Sequence, residues 1–252
     1  MERGTLLGRL NWQLGEVVST QAETARTKSI TLDLPAWMGH QAGQHVDVRL
    51  TAEDGYQAER SYSIASPPEE TPRVTLTVER LDDGEVSPYL TEDLRVGDKL
   101  ELRGPIGGYF VWEASMGGPL LLVAGGSGIV PLAAMLRHRA VVGSTIPTRL
   151  LYSSRSLEDV IYRDELDHLV KNSTMLEVIQ TLTRVQPPGW TGYGRRIDTQ
   201  MLREVAWPVD QRLLTFICGP TPFVETAASS LVELGHEPAR IKTERFGPTG
   251  DT

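Results

Sequence analysis

Apolar and polar residues alternate in short runs along the first 104 residues, with the two-residue period of half-buried strands. Six such runs cover residues 12 to 20, 26 to 34, 44 to 50, 60 to 64, 73 to 81 and 98 to 104. Glycine, proline or Asp-Gly breaks most of the gaps, at Pro35, Gly39, Gly43, Asp54-Gly55, Pro67-Pro68, Asp83-Gly84 and Gly97. Strands so short and so regularly interrupted predict a small antiparallel β-barrel. One stretch departs from the period: Ser87 as N-cap and Pro88 at the first helical position predict a short helix over residues 87 to 94.

From residue 115 the pattern changes. Residues 119 to 125 form a continuous apolar run, as in a parallel strand buried on both faces, and residues 131 to 142 follow at the helical period. Strands are then predicted over 148 to 154, 175 to 183, 212 to 219 and 239 to 246, alternating with helices over 157 to 171, 199 to 207 and 222 to 235. Regular alternation of this kind predicts an α/β domain with a doubly wound parallel sheet. Two domains are expected, residues 1 to 114 and 115 to 252.

Charge agrees with that division. The net charge of −8 sits wholly in residues 1 to 114, with 11 basic against 19 acidic side chains, whereas residues 115 to 252 carry 14 of each. Neither half is basic, which argues against a nucleic-acid partner. No apolar run is long enough to span a bilayer and the N-terminus lacks a signal peptide's apolar core, so no membrane insertion is expected. A single cysteine, Cys218, leaves no internal disulfide framework, no cysteine-based metal site and no cysteine-ligated cluster in this chain. No metal is expected, and a reducing cytoplasm fits best.

Candidate chemistry begins at residues 59 to 68, ERSYSIASPP. Strand alternation sends Arg60 and Tyr62 to one face and Ser61 and Ser63 to the other, unless the strand bends. One cation, one aromatic plate and short hydroxyls suit a ligand that is part phosphate and part flat ring. An edge strand with an exposed Arg and a half-buried Tyr is the plainer reading of these four residues alone. In the second domain the first strand runs into Gly125, Gly126, Ser127 and Gly128 ahead of Pro131. Glycines there let backbone N–H groups approach a pyrophosphate at a helix start. Pro131 falls where the dinucleotide fingerprint has its third glycine.

After the second strand of that domain stand Ser154 and Arg155, with Arg163 further on. Hydroxyls and arginines at the place where an acid would hold a free ribose diol suit a 2′-phosphate, which favours NADPH, with NADH also possible. Arg163 equally fits an ion pair with Asp159 or Asp167 on a helix. Cys218, Gly219 and Pro220 end an apolar strand at the carboxyl edge of the sheet, where the thiol serves either as a small core hydrophobe or as packing against a nicotinamide.

Together these motifs resemble the ferredoxin–NADP reductase superfamily: a barrel with R-x-Y-S, then G-G-x-G-I-x-P, C-G-P and E-R-F in order over about residues 10 to 248. The resemblance implies FAD on the barrel. Arg60 would contact its pyrophosphate, Tyr62 its isoalloxazine or ribityl part, and Ser63 the vicinity of N5, with Ser61 beside them. Residues 76 to 90 match the second flavin segment, in which Val78 and Arg80 would lie along FAD and Gly84, Glu85, Val86 and Ser87 would meet the pyrophosphate. Gly126, Ser127 and Gly128 would face the nicotinamide nucleotide, as would Thr183 and Arg184 along its groove and Gly219 and Pro220 beside Cys218. Cys218 would sit near nicotinamide C4. Glu244 would lie near the flavin or stand solvated at a strand end, and Phe246 would cover a flavin face or anchor the tail. Ser63, Cys218 and Glu244 form the expected catalytic set.

The implied activity is NAD(P)H oxidoreduction: hydride to flavin N5, then single electrons to a separate ferredoxin or oxygenase component, since the chain is read as ending at Thr252 without a cysteine-rich domain. Alternatives are direct reduction of free flavin, quinone or another small acceptor, and a non-catalytic flavin-binding electron-transfer subunit.

Overall fold

The computed structural model describes residues 10 to 247, so the expectations about the first residues and about the end at Thr252 lie outside the described residues. Six antiparallel strands make the first half: β1 (Trp12–Thr24), β2 (Thr27–Asp33), β3 (His45–Thr51), β4 (Gln57–Ser63), β5 (Arg73–Glu79) and β6 (Lys99–Ile106). They pair in the order β4-β3-β6-β1-β2-β5. The alternation in the sequence becomes a one-sided core: Ile30 and Leu32 of β2, Val46 and Val48 of β3, Val74, Leu76 and Val78 of β5, and Leu100 and Leu102 of β6 are all buried together. Each such side chain stabilises the barrel by about 1.5–3 kcal/mol through burial alone. The sheet curls until its ends meet. Ile64, just past β4, bridges Leu76 of β5, and the N–H of Ala65 donates to Thr75 O at 2.7 Å.

The helix expected over residues 87 to 94 is a single wide turn, with π-type bonding over Tyr89–Asp93. Ser87 does not cap it. Its Oγ accepts the N–H of Leu81 at 3.0 Å instead, folding the loop back on itself.

The second half is a five-stranded parallel sheet in the order β11-β10-β7-β8-β9, built from β7 (Leu120–Gly125), β8 (Thr148–Ser154), β9 (Leu176–Leu182), β10 (Leu214–Pro220) and β11 (Ile241–Phe246). Helices α1 (Ile129–Val141) and α2 (Arg163–Lys171) pack on one face, α3 (Thr199–Val205) and α4 (Thr221–Glu233) on the other. Every residue of β7 is buried, which explains its unbroken apolar run. Helix α2 begins at Arg163, not at residue 157. Val160, Ile161 and Tyr162 plug the core as an irregular segment, the Tyr152 hydroxyl accepts the N–H of Ile161 at 3.2 Å, and Tyr162 takes a left-handed φ of 61°.

The two halves are packed, not merely tethered. Ala42, Ala65, Phe110 and Trp112 from the barrel side share one buried cluster with Ile129, Val130, Ala133 and Met135 of α1.

Candidate functional site

The parallel sheet reverses its winding between β7 and β10, the place in open α/β sheets where ligand crevices form beyond the carboxyl ends of the strands. Both strand ends are built from glycine there. Gly126 has φ of 55°, and nothing lies within 4 Å of where its Cβ would be, so its backbone faces open space. A Cβ on Gly128 would sit 2.1 Å from the carbonyl oxygen of Cys218, and one on Gly219 would sit 2.7 Å from the Phe223 ring. The glycine turn and the end of β10 therefore touch backbone to backbone, and α1 starts directly from that contact.

Strands β10 and β11 pair in register, Cys218 with Glu244 and Pro220 with Phe246. Ser63, at the end of β4 on the barrel, reaches across the domain boundary and donates to Glu244 Oε1 at 3.4 Å. Burial pushes the Glu244 carboxyl up to about 7, partly offset by that Ser63 bond. Burial, and then the Glu244 carboxylate, hold the Cys218 thiol well above its ordinary value, so it stays protonated and packs as an apolar group. Three residues from distant parts of the chain thus converge where barrel and sheet meet.

Along the barrel, Arg60 stands half-exposed at the sheet edge; its guanidinium donates to Glu85 at 2.9 Å and to Glu59 O at 2.7 Å. Tyr56 donates to the other oxygen of Glu85 at 2.8 Å. Tyr62 packs its ring on the barrel core, and burial raises its hydroxyl to about 12. Ser61 turns to the opposite face and donates to Asp47 at 2.7 Å. Arg80 pairs with Asp82 at 3.0 Å and with Glu92. On the far side of the parallel sheet, Thr183 donates through both N–H and hydroxyl to Ser154 O, and the N–H of Arg184 donates to Arg155 O at 2.9 Å. Both arginine side chains are exposed, and among the described residues neither has a carboxylate within ion-pair distance.

Residues 15–111 match the oxidoreductase FAD-binding domain and residues 122–229 the oxidoreductase NAD-binding domain. Over 210 residues the chain is 35% identical to ferredoxin–NADP reductase B of Sorangium cellulosum, covering 82% of this chain and 85% of that one. The chain belongs to the ferredoxin–NADP reductase superfamily. It is also 30% identical over 244 residues to the glycine betaine monooxygenase reductase subunit of Chromohalobacter salexigens, with 96% of this chain covered. It spans 65% of that subunit's length and 61% of that of its Pseudomonas aeruginosa counterpart. The FAD/NAD-binding domain of nitric oxide dioxygenase from Vibrio cholerae superposes with a TM-score of 0.84 at 25% identity, covering 93% of this chain and 98% of that one.

As a ferredoxin–NADP reductase relative, the chain carries an oxidoreductase FAD-binding domain and an oxidoreductase NAD-binding domain, for FAD and a nicotinamide nucleotide. Its own residues fit both groups: Gly126 leaves an open cradle at a helix start, and Arg60 offers an exposed cation beside the half-buried ring of Tyr62. Expectations for three residues are corrected. Val78 and Val86 are fully buried in the barrel core and have no surface to offer a ligand. Arg163 pairs with neither Asp159 nor Asp167, having only a 3.9 Å contact with Asp164, and it lines a groove whose other wall is Gln21 to Glu23 of β1. In the segment expected to meet the pyrophosphate, the Glu85 carboxylate holds Arg60. Sequence reasoning missed Tyr56 and Phe223, because nothing in their local sequence marks a partner 29 positions away or a ring beneath two glycines.

Proposed function

We propose that this protein is an NAD(P)H-dependent, FAD-containing reductase that hands single electrons to a separate acceptor, an oxygenase component or a ferredoxin. FAD, when bound, accepts two electrons from a nicotinamide and releases them one at a time. The observation that carries the reading is the meeting of Ser63, Cys218 and Glu244 across the domain boundary, beside the glycine turn that opens α1. Ser63 and Arg60 belong to one strand, so a cofactor anchored by Arg60 and shelved on Tyr62 would run its ring end toward Ser63. Gly126, Ser127 and Gly128 would receive the nucleotide's phosphates, and Thr183 and Arg184 would line its groove beside Ser154 and Arg155. Cys218, neutral and buried, would form a dry wall, while Glu244 would hold a proton near neutrality within reach of Ser63 Oγ. The free guanidinium groups of Arg155 and Arg184 support a 2′-phosphate, hence NADPH. The monooxygenase reductase subunit among its relatives supports an oxygenase partner.

Anaerobic titration of the purified FAD-loaded protein with NADPH and with NADH tests this. Bleaching of the yellow absorbance by NADPH at lower concentration than NADH is the expected result. Absorbance unchanged by either nucleotide would leave a non-catalytic flavin subunit as the better description.

A further inference from the structure

Arg137 lies on α1, past the glycine turn, and makes no contact with Ser63, Cys218 or Glu244. Its side chain nevertheless reaches into the barrel, where one terminal nitrogen donates to Ala65 O at 2.6 Å. The remaining face of the guanidinium is clamped by Glu165 of α2, in two parallel bonds of 2.7 and 2.6 Å. The Tyr162 ring lies 4.5 Å from the guanidinium centre, and the Tyr162 hydroxyl donates to Thr77 Oγ1 of β5. Burial works against the Arg137 charge, yet the Glu165 bonds hold it firmly protonated.

The barrel atoms gripped here are specific. Ala65 is two residues beyond Ser63 and bonds through its N–H to Thr75, while Thr77 lies two residues further along β5. The residue two positions past Ser63 and the middle of β5 are therefore fastened to the nucleotide domain, one by Arg137 of α1 and the other by Tyr162 just ahead of α2. Tyr162 holds a left-handed φ of 61° to do so, a conformation that costs a bulky residue on the order of 1–3 kcal/mol and persists only where surroundings impose it. Beside the pair runs a polar cleft of about 250 Å³ lined by Ser29, Thr31, Thr75, Arg137 and Glu165, so no apolar packing closes this side of the boundary. The apolar cluster of Ala42, Phe110 and Trp112 lets the domains adhere, but it lacks the directionality of hydrogen bonds.

We propose that Arg137 and Tyr162 are positioning residues that set the distance between the two cofactor sites, by bracing Ala65, just past β4, and Thr77 of β5 against α1 and the segment that leads into α2. The proposal rests on the reductase reading above. Hydride transfer demands reacting atoms about 3–3.5 Å apart, and a displacement of about 1 Å arising far from the chemistry can cost about a hundredfold in rate. A brace acting on Ala65 should therefore govern the transfer step more than binding of either cofactor.

Two measurements on the full chain carrying FAD test it. In stopped-flow reduction by NADPH, Arg137→Ala is expected to slow flavin bleaching ten- to a hundredfold, with the saturating nucleotide concentration changed less than about threefold and FAD retained; Arg137→Lys, which can still donate to Ala65 O, should recover part of the rate. In hydrogen exchange, peptides covering residues 64 to 66 and 75 to 78 should exchange about tenfold faster in Arg137→Ala while the core of β7 is unchanged. Tyr162→Phe, which removes only the hydroxyl bond to Thr77, should show a milder form of both effects and stands in if Arg137→Ala does not fold. A wild-type bleaching rate with wild-type exchange in these variants overturns the proposal, as does a rate loss accounted for by lost FAD. If neither nucleotide bleaches the wild-type flavin, the reductase reading fails, and the exchange arm alone still decides whether the brace exists.

Discussion

At the scale of single residues, Glu244 is the most informative side chain for solution behaviour. Its carboxyl is raised from 4.5 to about 7 by burial, so between those values the folded chain keeps a proton that the unfolded chain has released. Stability therefore falls as pH rises through that window and stays lower above it. Glu244→Gln removes the charge and keeps an acceptor for Ser63. The variant should melt above wild type at pH 8, with an upper bound of about 3 kcal/mol, and the two melting curves should converge toward pH 5. Arg60 carries the second prediction at this scale. Arg60→Ala should weaken FAD binding at least tenfold by equilibrium dialysis, since a cation on a pyrophosphate makes charge-assisted bonds, whereas Ser63→Ala should keep FAD and slow its reduction. The placement of Arg60 beside Tyr62, with Ser61 on the opposite face, was legible from strand parity. Val78 was misread, although its own alternation with Val74 and Leu76 already marked it as core. Arg137 and Tyr162 were illegible, because their partners lie 72 and 85 positions away.

At the scale of elements, the turn from β7 into α1 is the tightest piece of the site. A methyl group on Gly128 would meet the Cys218 backbone, which has no flexible end to yield. Gly128→Ala should thus push the turn away from β10, costing about 1–3 kcal/mol in urea unfolding and raising the KM for nucleotide, while Gly126→Ala meets no neighbour and is opposed only by its positive φ. Among the described residues, the existence and chain order of the eleven strands and four helices could be read from periodicity and punctuation, since the barrel strands alternate and β7 is apolar throughout. The start of α2 could not. Residues 157 to 162 satisfy a helical pattern, but their apolar side chains are used as a plug, and the Tyr152 hydroxyl takes the bond that a helix would have made. The turn at residues 87 to 93 failed as an ordinary helix for a similar reason, because Ser87 serves the loop behind it.

At the scale of the molecule, the charge imbalance has a kinetic consequence. With all of the net −8 in residues 1 to 114, the flavin half repels anions and attracts cations. Raising ionic strength from ~20 to ~200 mM should speed reduction of hexacyanoferrate(III) and slow that of hexaammineruthenium(III), a few-fold each. Equal salt effects on the two would mean that the acceptor approaches a face shielded from the barrel's field. The succession of an antiparallel half and a parallel half was legible from the change of period, but the polar contacts between them were not, because they join residues distant in sequence. One further feature bears on handling the protein. The barrel's strands pair continuously except between β4 and β5, which are joined by the Ile64–Leu76 bridge and the Ala65–Thr75 bond, with Glu85 reaching across to Arg60. If that join opens, the barrel unrolls into a sheet with two bare edges, each a template for another chain. A cofactor lying along Arg60 and the Gly84–Glu85 turn would cover the join, so preparations short of FAD should lose material to self-association before they lose secondary structure, and adding FAD during purification should improve yield more than lowering the temperature.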